Sequence, residues 1–493
     1  MATIASTAAL SRERTKRYVP WLVAVALFME NLDATIVNTA VPTMAQSLEV
    51  PPLSLKAVMT SYTLSLAVFI PISGWMADKY GTRRVFFFAV VLFTIGSLFC
   101  GLSTDIPMLV ASRVVQGIGG AMMTPVGRLA MVRTFPRSEM LAAMNFVVIP
   151  ALMGPLVGPS LGGFIVHWFH WRLIFFINLP IALAGLWLIK LHMPDYREEG
   201  VAPLDKVGFL LFGTGIALLS YVLEIFGEHS LPTSAILFLL GGAVVLLAAY
   251  GFTSQRVTVP VLALGLFKLR TFRAAVAGGF VTRLGIGGMP FLLPLLYQIG
   301  LGYPAWVAGL FTVPQALAAI GMKVFSRPLL ARFGFRQILI LNTVLVGITI
   351  TTFGLIGPGV PIGFILALSL AQGFFASLQF TSMNSLIYSE VDDRDASKAS
   401  SIASTAQQMS LSFGVAFSSL VAGWFLGHVN QRDPLQAVPA LHKAFVSMGV
   451  LTIVSSLTFW SLRPHDGDNI SNRRKEAEKM AGKAPDPNPP EAD

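Results

Sequence analysis

The 493-residue chain contains a single cysteine, Cys100, and only 12% of its residues are charged. One cysteine cannot form an internal disulfide, and no Cys and His cluster has the spacing of metal ligands. A nucleotide-binding loop is missing too, because neither Lys323 nor Lys483 is followed by the required Ser or Thr. No nucleophile, base and orienting group form a recognisable set. We therefore expect no metal, cofactor, ATP or catalytic residue, and no enzyme.

What the chain does contain is apolar sequence, which makes up 54% of its residues. A soluble domain carries roughly 25% charged residues, so this composition indicates an all-α polytopic membrane protein. A window of about 20 residues predicts fourteen transmembrane helices, near residues 18–42, 57–77, 84–103, 107–132, 140–165, 171–191, 205–226, 233–253, 273–298, 304–323, 336–357, 360–387, 398–426 and 440–462.

The net charge of +10 does not indicate nucleic-acid binding, because the basic residues are scattered between the apolar spans. Placing the termini and alternate loops on one side gathers nearly all loop lysines and arginines there. The opposite side holds only Lys56, Arg172, Arg432 and Lys443. By the positive-inside rule both termini are cytoplasmic, so we expect a multi-pass protein of the cytoplasmic (inner) membrane with the lipid bilayer as its partner.

The two halves of the chain resemble each other. Residues 328–336, after the tenth span, match residues 75–83 after the second, and share a glycine and the arginine two residues after it. This repeat predicts two six-helix bundles with two additional spans between them. The predicted units are a cytoplasmic segment (1–17), an N-terminal bundle (18–192), two inserted spans (193–256), a C-terminal bundle (257–463) and a disordered cytoplasmic tail (464–493).

The first span carries two acids, Glu30 and Asp33, which are three residues apart and share a helix face. An ionised carboxyl at this depth costs about 2.5 kcal/mol or more, so each should face a cavity, meet a cation or bind a proton. The alternative is a buried carboxyl that packing keeps neutral. We favour proton coupling for Asp33, and Glu30 is a second, weaker candidate for it.

Arg113 in the fourth span is the expected partner of Asp33. It lies about 9 Å from the outer end of its helix, and Asp33 lies about 13 to 14 Å from the corresponding end, so their depths agree within helix tilt. An arginine cannot lose its proton, and it can hold Asp33 ionised until a proton or a cationic substrate competes. The alternative is a static salt bridge between two helices.

A short charged loop, Gly74 to Arg84, follows the second span. Gly81 permits a chain reversal, while Asp78 and the basic residues Arg83 and Arg84 can form pairs that lock one conformation. The alternative is a turn whose charges only set topology.

The fifth span combines glycines and prolines with an apolar run that has no Asp, Glu, Lys or Arg from residue 140 to 169. In lipid such a segment survives only when packed on other helices or beside a water-filled cavity. Glycines spaced by four form a stripe that another helix can approach. We expect a hinge and seal toward the outer face, formed by Gly154, Pro155, Gly158, Pro159, Gly162 and Gly163.

Other polar residues within the spans are candidates for a substrate cavity: Asn38, Tyr62, Gln116, Asn145, Arg283, Gln298, Gln315 and Gln379. The alternative for most of them is an interhelical hydrogen bond, worth about 0.6 to 2 kcal/mol. Arg283 is different, because a cation some ten residues into the ninth span needs a partner or an anionic substrate.

Four motifs now stand in one order along the chain, beginning with Leu32–Pro42, which reads LDATIVNTAVP. They continue with the charged loop, residues 113–121 and the fifth-span segment. On these motifs the chain resembles the major facilitator superfamily, and more narrowly the fourteen-span drug:proton antiporters of EmrB/QacA type. It departs from the LDxTIVNxALP pattern only at Val41.

The resemblance implies the major facilitator fold and a role for Asp33 and Arg113 in proton coupling. It also implies that Asp78 and Arg83 belong to a cytoplasmic gating loop and that the fifth-span segment is an antiporter motif. Ala331 stands where the second-half copy of the loop would carry its acid.

We expect an exporter that exchanges protons for small amphipathic compounds by alternating access, driven by the proton gradient. Its partners are then the substrate and protons, and the sequence does not identify any envelope-spanning partner. One alternative is an exporter of a specific metabolite, organic acid or metal chelate, favoured if Arg113 and Arg283 both project into the cavity. A second is a non-transporting membrane sensor or scaffold, which would not need Asp33.

Overall fold

The computed structural model describes residues 2–225, 231–392, 394–426 and 434–468. All regular secondary structure in these ranges is helical. Thirteen helical segments of this described part are long and apolar enough to cross a membrane. The protein is therefore an all-helical, multi-pass membrane protein.

The N-terminal bundle contains six long helices: α1 (Ala2–Ile36), α2 (Lys56–Tyr80), α3 (Thr82–Leu102), α4 (Ile106–Thr134), α5 (Arg137–Trp168) and α6 (Asn178–His192). Short helices at Val41–Ser47 and Leu173–Phe176 connect them. Helix α1 begins well before the first predicted span, so the predicted N-terminal segment and most of that span, as far as Ile36, form one helix. Within the bundle α1 packs on α5, and α4 packs on α2 and α3.

Two helices, α7 (Lys206–Ile225) and α8 (Thr233–Ser254), follow the N-terminal bundle and pack on each other. Helix α7 lies against α2, where the rings of Phe69 and Phe209 meet edge to face with centroids 5.5 Å apart. These are the two spans predicted between the bundles.

The C-terminal bundle contains α9 (Gly279–Pro294), α10 (Val313–Phe353), α11 (Ile362–Leu386), α12 (Ala396–Leu426) and α13 (Pro434–Ser455). Helix α9 is extended by a short helix, Arg270–Arg273, and by π-helical turns at Ala274–Gly278 and Leu295–Gly300. The short helix Ala305–Leu310 precedes α10. The predicted tail from residue 469 onward lies outside the described residues.

Helix α10 is 41 residues long, about 60 Å at 1.5 Å per residue, which is twice the hydrocarbon thickness of a bilayer. Its helical geometry breaks at Gly334, with φ 75° and ψ 163°. The loop glycine Gly81 adopts nearly the same backbone conformation, with φ 97° and ψ 141°. Gly81 and Gly334 are the two glycines that the sequence repeat aligns, so the repeat is present in the backbone.

The fifth span runs as one continuous helix, α5, through Pro150, Pro155 and Pro159. A proline removes one backbone donor, but it does not end the helix where neighbouring helices hold it in place. Helix α5 is held on one side by α1 and on another by the segment Ala305–Leu310. This contact and the seam between α2 and α12 join the two bundles.

Candidate functional site

Asp33 and Arg113 lie side by side between α1 and α4, and both side chains are buried, with exposed fractions of 0% and 1%. Arg113 Nη1 donates to Asp33 Oδ2 at 2.5 Å. The pair that their depths predicted is thus formed, within one bundle. Its role in proton coupling stays a prediction.

Neutral side chains complete the surroundings of the Asp33 carboxylate. Gln116 Nε2 and Asn178 Nδ2 donate to Asp33 Oδ1 at 2.8 and 2.9 Å. Both amides also donate to Ser97 Oγ, at 2.6 and 3.2 Å. A proton on either carboxylate oxygen turns an acceptor into a donor, so this network must rearrange whenever Asp33 is protonated.

The Arg113 guanidinium is held on three further sides. Nη1 also donates to Gln116 Oε1 at 2.6 Å, and Nε donates to the Val58 carbonyl at 3.2 Å. Its central carbon lies 4.1 Å from the centroid of the Tyr62 ring. These contacts fix the position of the cation by hydrogen bonds and cation–π attraction, so it can remain in place when its acid partner changes.

Glu30 lies one turn before Asp33 on α1 and is half-buried. Its carboxylate accepts a hydrogen bond from Thr124 Oγ1 at 2.5 Å. Within the described ranges no Lys or Arg forms an ion pair with it. Glu30 is thus a second acid on the same two-helix contact as Asp33, without the partner that Asp33 has.

The glycine stripe of α5 lies directly on the helix that carries Asp33. A Cβ atom added at Gly154 would come within 2.7 Å of Asn31 Cβ, and one at Gly158 would collide with Thr35 Oγ1. At Gly162 it would collide with the carbonyl of Ile36. The spacing of four therefore does what the sequence predicted, since it lets a second helix backbone approach closely.

The other face of the α5 motif touches the C-terminal bundle. A Cβ at Gly163 would collide with the Ala305 carbonyl, and one at Gly309 would collide with the Pro159 carbonyl. Four inter-bundle hydrogen bonds are seen in the described ranges, and each lies in the predicted outer half: Ser160 to Gly309, Gln298 to Thr39, Ser412 to Thr60 and Ser419 to Leu53. The bundles are thus closed against each other at that end.

In the charged loop, Asp78 pairs with a residue that the sequence did not suggest. Arg133 at the end of α4 donates to Asp78 Oδ1 at 2.7 Å and also pairs with Glu198. The backbone N–H of Arg83 donates to Asp195 Oδ1 at 3.1 Å, so the segment after α6 covers the loop. A Cβ at Gly81 would collide with that same carboxylate, whereas one at Gly74 would meet open space.

Arg84 completes this loop: its Nε lies 3.6 Å from Asp195 Oδ2, and the arginine side chain is 67% exposed. The loop charges therefore pair with α4 and with the segment after α6 rather than with each other.

The residues predicted to line a cavity do not lie together in the structure. Tyr62 and Gln116 belong to the Asp33 cluster, and Gln298 donates to the Thr39 carbonyl at 2.8 Å between the bundles. Gln379 is fully buried, accepting from Asn342 at 2.9 Å and donating to Thr343 at 2.7 Å. These contacts correspond to the interhelical alternative rather than to a cavity lining.

Three more of the predicted cavity residues remain. Asn38 is 8% exposed, and the backbone of Gln315 touches Gly373 where α10 meets α11. The side chain of Asn145 lies outside the described residues. Arg283 is buried against Asn384.

Several partners could not be found from sequence reasoning. Ser97 and Asn178 are neutral residues within spans, and Arg133, Asp195 and Glu198 lie far along the chain from the loop that they contact. The usable signal was the group of acids Asp195, Glu198 and Glu199, which the charge pattern places on the same side of the membrane as the basic loop.

Two helical bundles, joined at one end and carrying charged side chains inside their membrane-spanning helices, define a membrane transporter rather than an enzyme. The model of the Major Facilitator Superfamily matches residues 23–411 and 276–487. The chain belongs to the Major Facilitator Superfamily.

Curated relatives are similar along almost their whole length. A protein of Serratia proteamaculans (strain 568), provisionally named multidrug resistance protein MdtD, is 39% identical over 466 residues, covering 94% of this chain and 96% of that protein. The protein of the same name from Escherichia fergusonii is 39% identical over 467 residues, covering 94% and 98%.

Solved transporters share the fold at low sequence identity. The POT family transporter PepTSo has a TM-score of 0.66 and 15% identity, and the match covers 94% of this chain and 99% of that chain. A bacterial homolog of the human lysosomal transporter Spinster has a TM-score of 0.62 and 16% identity, covering 90% and 96%.

Proposed function

We propose that this protein is a proton-coupled antiporter that exports small amphipathic compounds across the cytoplasmic membrane by alternating access. The provisional names of the relatives support drug efflux as the kind of transport. The observation that carries the coupling is the buried Asp33–Arg113 pair, because an acid inside the membrane is retained at the cost of its desolvation and is functional by default.

In this proposal a proton from the outside binds the Asp33 carboxylate. The neutral acid no longer attracts Arg113 as an ion, and one of its oxygens now donates instead of accepting. A proton on Oδ1 displaces the amide donors of Gln116 and Asn178, and a proton on Oδ2 displaces the Nη1 donor of Arg113. Because these residues lie on α4 and α6, protonation alters the packing of the N-terminal bundle around α1.

The glycine contact transmits this change toward the other bundle. Helix α1 carries Asp33 on one part of its surface and touches Gly154, Gly158 and Gly162 of α5 on another. Helix α5 in turn touches Ala305 and Gly309. We infer that the proton reaches Asp33 while the outer end is open and that neutralising Asp33 lets this contact close, so the described conformation, closed at the outer end, is the one that faces the cytoplasm.

We further propose fourteen spans with both termini in the cytoplasm. The segment Ala305–Phe353 has 49 residues, enough for two crossings that meet at Gly334. Counting it twice gives fourteen spans and agrees with the even number that the loop charges predict.

Proton release from the purified protein tests the coupling. Adding a transported compound to wild-type protein in weakly buffered detergent should release protons, read by a pH indicator, because substrate and proton compete for one carrier. Asp33→Asn should release fewer protons than wild type, because it lacks the carboxylate that binds the proton. Any release left in Asp33→Asn but absent from Asp33→Asn/Glu30→Gln assigns a second proton to Glu30, and release equal to wild type in Asp33→Asn contradicts the proposal.

A further inference from the structure

Arg283 is a buried cation in the middle of α9, with an exposed fraction of 1%. Nη2 donates to Asn384 Oδ1 at 3.0 Å, and the guanidinium carbon lies 5.2 Å from the centroid of the Phe380 ring. The Nε nitrogen is buried without a hydrogen-bond partner. A guanidinium has five N–H donors in a planar fork, so most of its binding capacity here is unused.

No carboxylate of the described residues forms an ion pair with Arg283, in contrast to Arg113. The two arginines are otherwise comparable, since both are buried and both lie beside an aromatic ring. An arginine cannot shed its charge, and a buried charge without a counter-ion is strongly unfavourable. Such a residue is expected to persist only where a ligand supplies the missing charge.

The repeat places Arg283 on the helix that corresponds to the helix carrying Asp33. Asp33 and Arg113 lie on the first and fourth spans of the N-terminal bundle, and Arg283 and Asn384 lie on the first and fourth of the C-terminal bundle. In each bundle an arginine joins these two helices. The N-terminal pair includes its acid, whereas the C-terminal pair has an amide instead.

The exposure of Asn384 indicates access to Arg283 from the predicted cytoplasmic end. Asn384 is exposed although Arg283 beneath it is buried. It lies two residues before the end of α11 at Leu386, and Glu390 in the turn that follows accepts the Thr271 N–H at the end of the bundle. An amide that faced lipid would leave its donors unpaired, so Asn384 marks a surface that water reaches between the bundles.

We propose that Arg283 binds an anionic group of the exported compound, a carboxylate, sulfonate or phosphonate, while Phe380 contacts its apolar part. The proposal rests on the export function above and narrows its substrate class. The side chain of Asn384 covers the guanidinium in the empty site and swings aside when the anion enters. Nε and Nη2 then offer the side-on pair of donors that a carboxylate accepts with two hydrogen bonds.

Binding to the purified, full-length protein tests this proposal with matched probes. The probes are naphthalene carboxylate, sulfonate and phosphonate, each paired with its neutral amide and measured by titration calorimetry. Wild type should bind at least one anion about tenfold or more tightly than its amide, because the ligand pairs with a buried cation. Arg283→Gln should lose that preference, and Arg283→Lys should keep part of it.

Thermal stability separates a binding arginine from a structural one. Arg283→Gln should keep or raise the apparent melting temperature, because it removes an unpaired buried charge. Arg256→Gln is the matched control, since Arg256 also lies over a phenylalanine ring, 4.0 Å from the centroid of Phe252, but is exposed. It should leave both binding and stability unchanged.

Three results overturn the proposal: no anion preference in wild type, the same preference in Arg283→Gln, or failure of Arg283→Gln to fold. The proposed export function is tested separately by the proton release described above. If wild type prefers the anions but releases no proton, the antiport mechanism fails and the anion site stands. If it releases protons with every probe alike, the antiport stands and the anion site fails.

Discussion

At the scale of single residues, the main feature of the protein is the buried ion pair between Asp33 and Arg113. Asp33 and Arg113 neutralise each other, and the amides of Gln116 and Asn178 donate to the Asp33 carboxylate. Removing one member of a buried ion pair lowers stability far more than replacing both members with neutral residues, because the remaining charge is left buried without a partner. Comparing a single with a double variant therefore measures the interaction between Asp33 and Arg113.

Arg113→Gln should lower the free energy of unfolding by about 3 to 5 kcal/mol, because it leaves the Asp33 carboxylate buried and unpaired. The double variant Asp33→Asn/Arg113→Gln should recover a large part of that loss, since it buries no ion. Thermal unfolding of the purified proteins, followed by a thiol-reactive dye at Cys100, measures both. Equal destabilisation in the single and double variants would show that the two side chains do not act as a pair.

At the scale of secondary-structure elements, the close approach of α1 and α5 explains the glycine spacing. Gly154, Gly158 and Gly162 each leave room for a backbone or side-chain atom of α1. Helix α5 also contacts the segment Ala305–Leu310 on its other face. One helix thus contacts both the acid-bearing helix and the opposite bundle.

Gly158→Val should force α1 and α5 apart, because its Cβ would overlap Thr35 Oγ1. We expect a loss of about 1 to 3 kcal/mol in stability and a faster passive proton leak in proteoliposomes. Gly185→Val is the control: it lies in α6 and its Cβ would meet nothing within 4 Å, so it should change neither quantity. If folded Gly158→Val protein leaks protons at the same rate as wild type, the contact between α1 and α5 does not act as a seal.

The charged loop makes a second prediction at this scale. Asp78→Asn removes a partly exposed pair with Arg133, so stability should change by less than about 1 kcal/mol. Turnover should nevertheless fall about fivefold, the rate equivalent of about 1 kcal/mol, if the pair stabilises one of the two transport conformations. Initial rates at saturating substrate measure this.

Glu198→Gln is the comparison for Asp78→Asn, because it leaves the Asp78–Arg133 contact intact. It should turn over at close to the wild-type rate. A loop that only sets topology predicts wild-type turnover in both variants.

Sequence patterns could predict the elements better than the contacts between them. Lipid demands long apolar helices, so most spans and the repeated glycines at 81 and 334 could be read directly. Asp33 and Arg113 could be paired because charges at matching depth have few other choices. Neutral residues such as Ser97 and Asn178 have many potential partners, and their selection depends on helix rotation, which a single sequence does not encode.

At the scale of the whole molecule, two bundles meet at one end around a centre with two buried arginines. The closed end involves α2, α5 and α12, while the charged loops lie at the opposite end. This arrangement suits a protein that exposes its centre to one side of the membrane at a time.

Cysteine labelling tests the fourteen-span topology, starting from a Cys100→Ser background that has no cysteine of its own. A cysteine at Arg332, beside the break at Gly334, should react with a membrane-impermeant maleimide only from the cytoplasmic side. One at Gly302 should react only from the outside. Labelling of both positions from the same side would contradict a crossing between Gly302 and Arg332, the first of the two crossings proposed for residues 305–353.

Transport driven by a pH gradient in proteoliposomes tests the role of Asp33 most directly. Asp33→Asn should lose uphill accumulation of substrate but keep substrate–substrate exchange, which needs no proton and shows that the variant is folded. Asp105→Asn, at the exposed start of α4, should accumulate substrate as wild type does. Full gradient-driven accumulation by Asp33→Asn would contradict the assignment of Asp33 as the coupling acid.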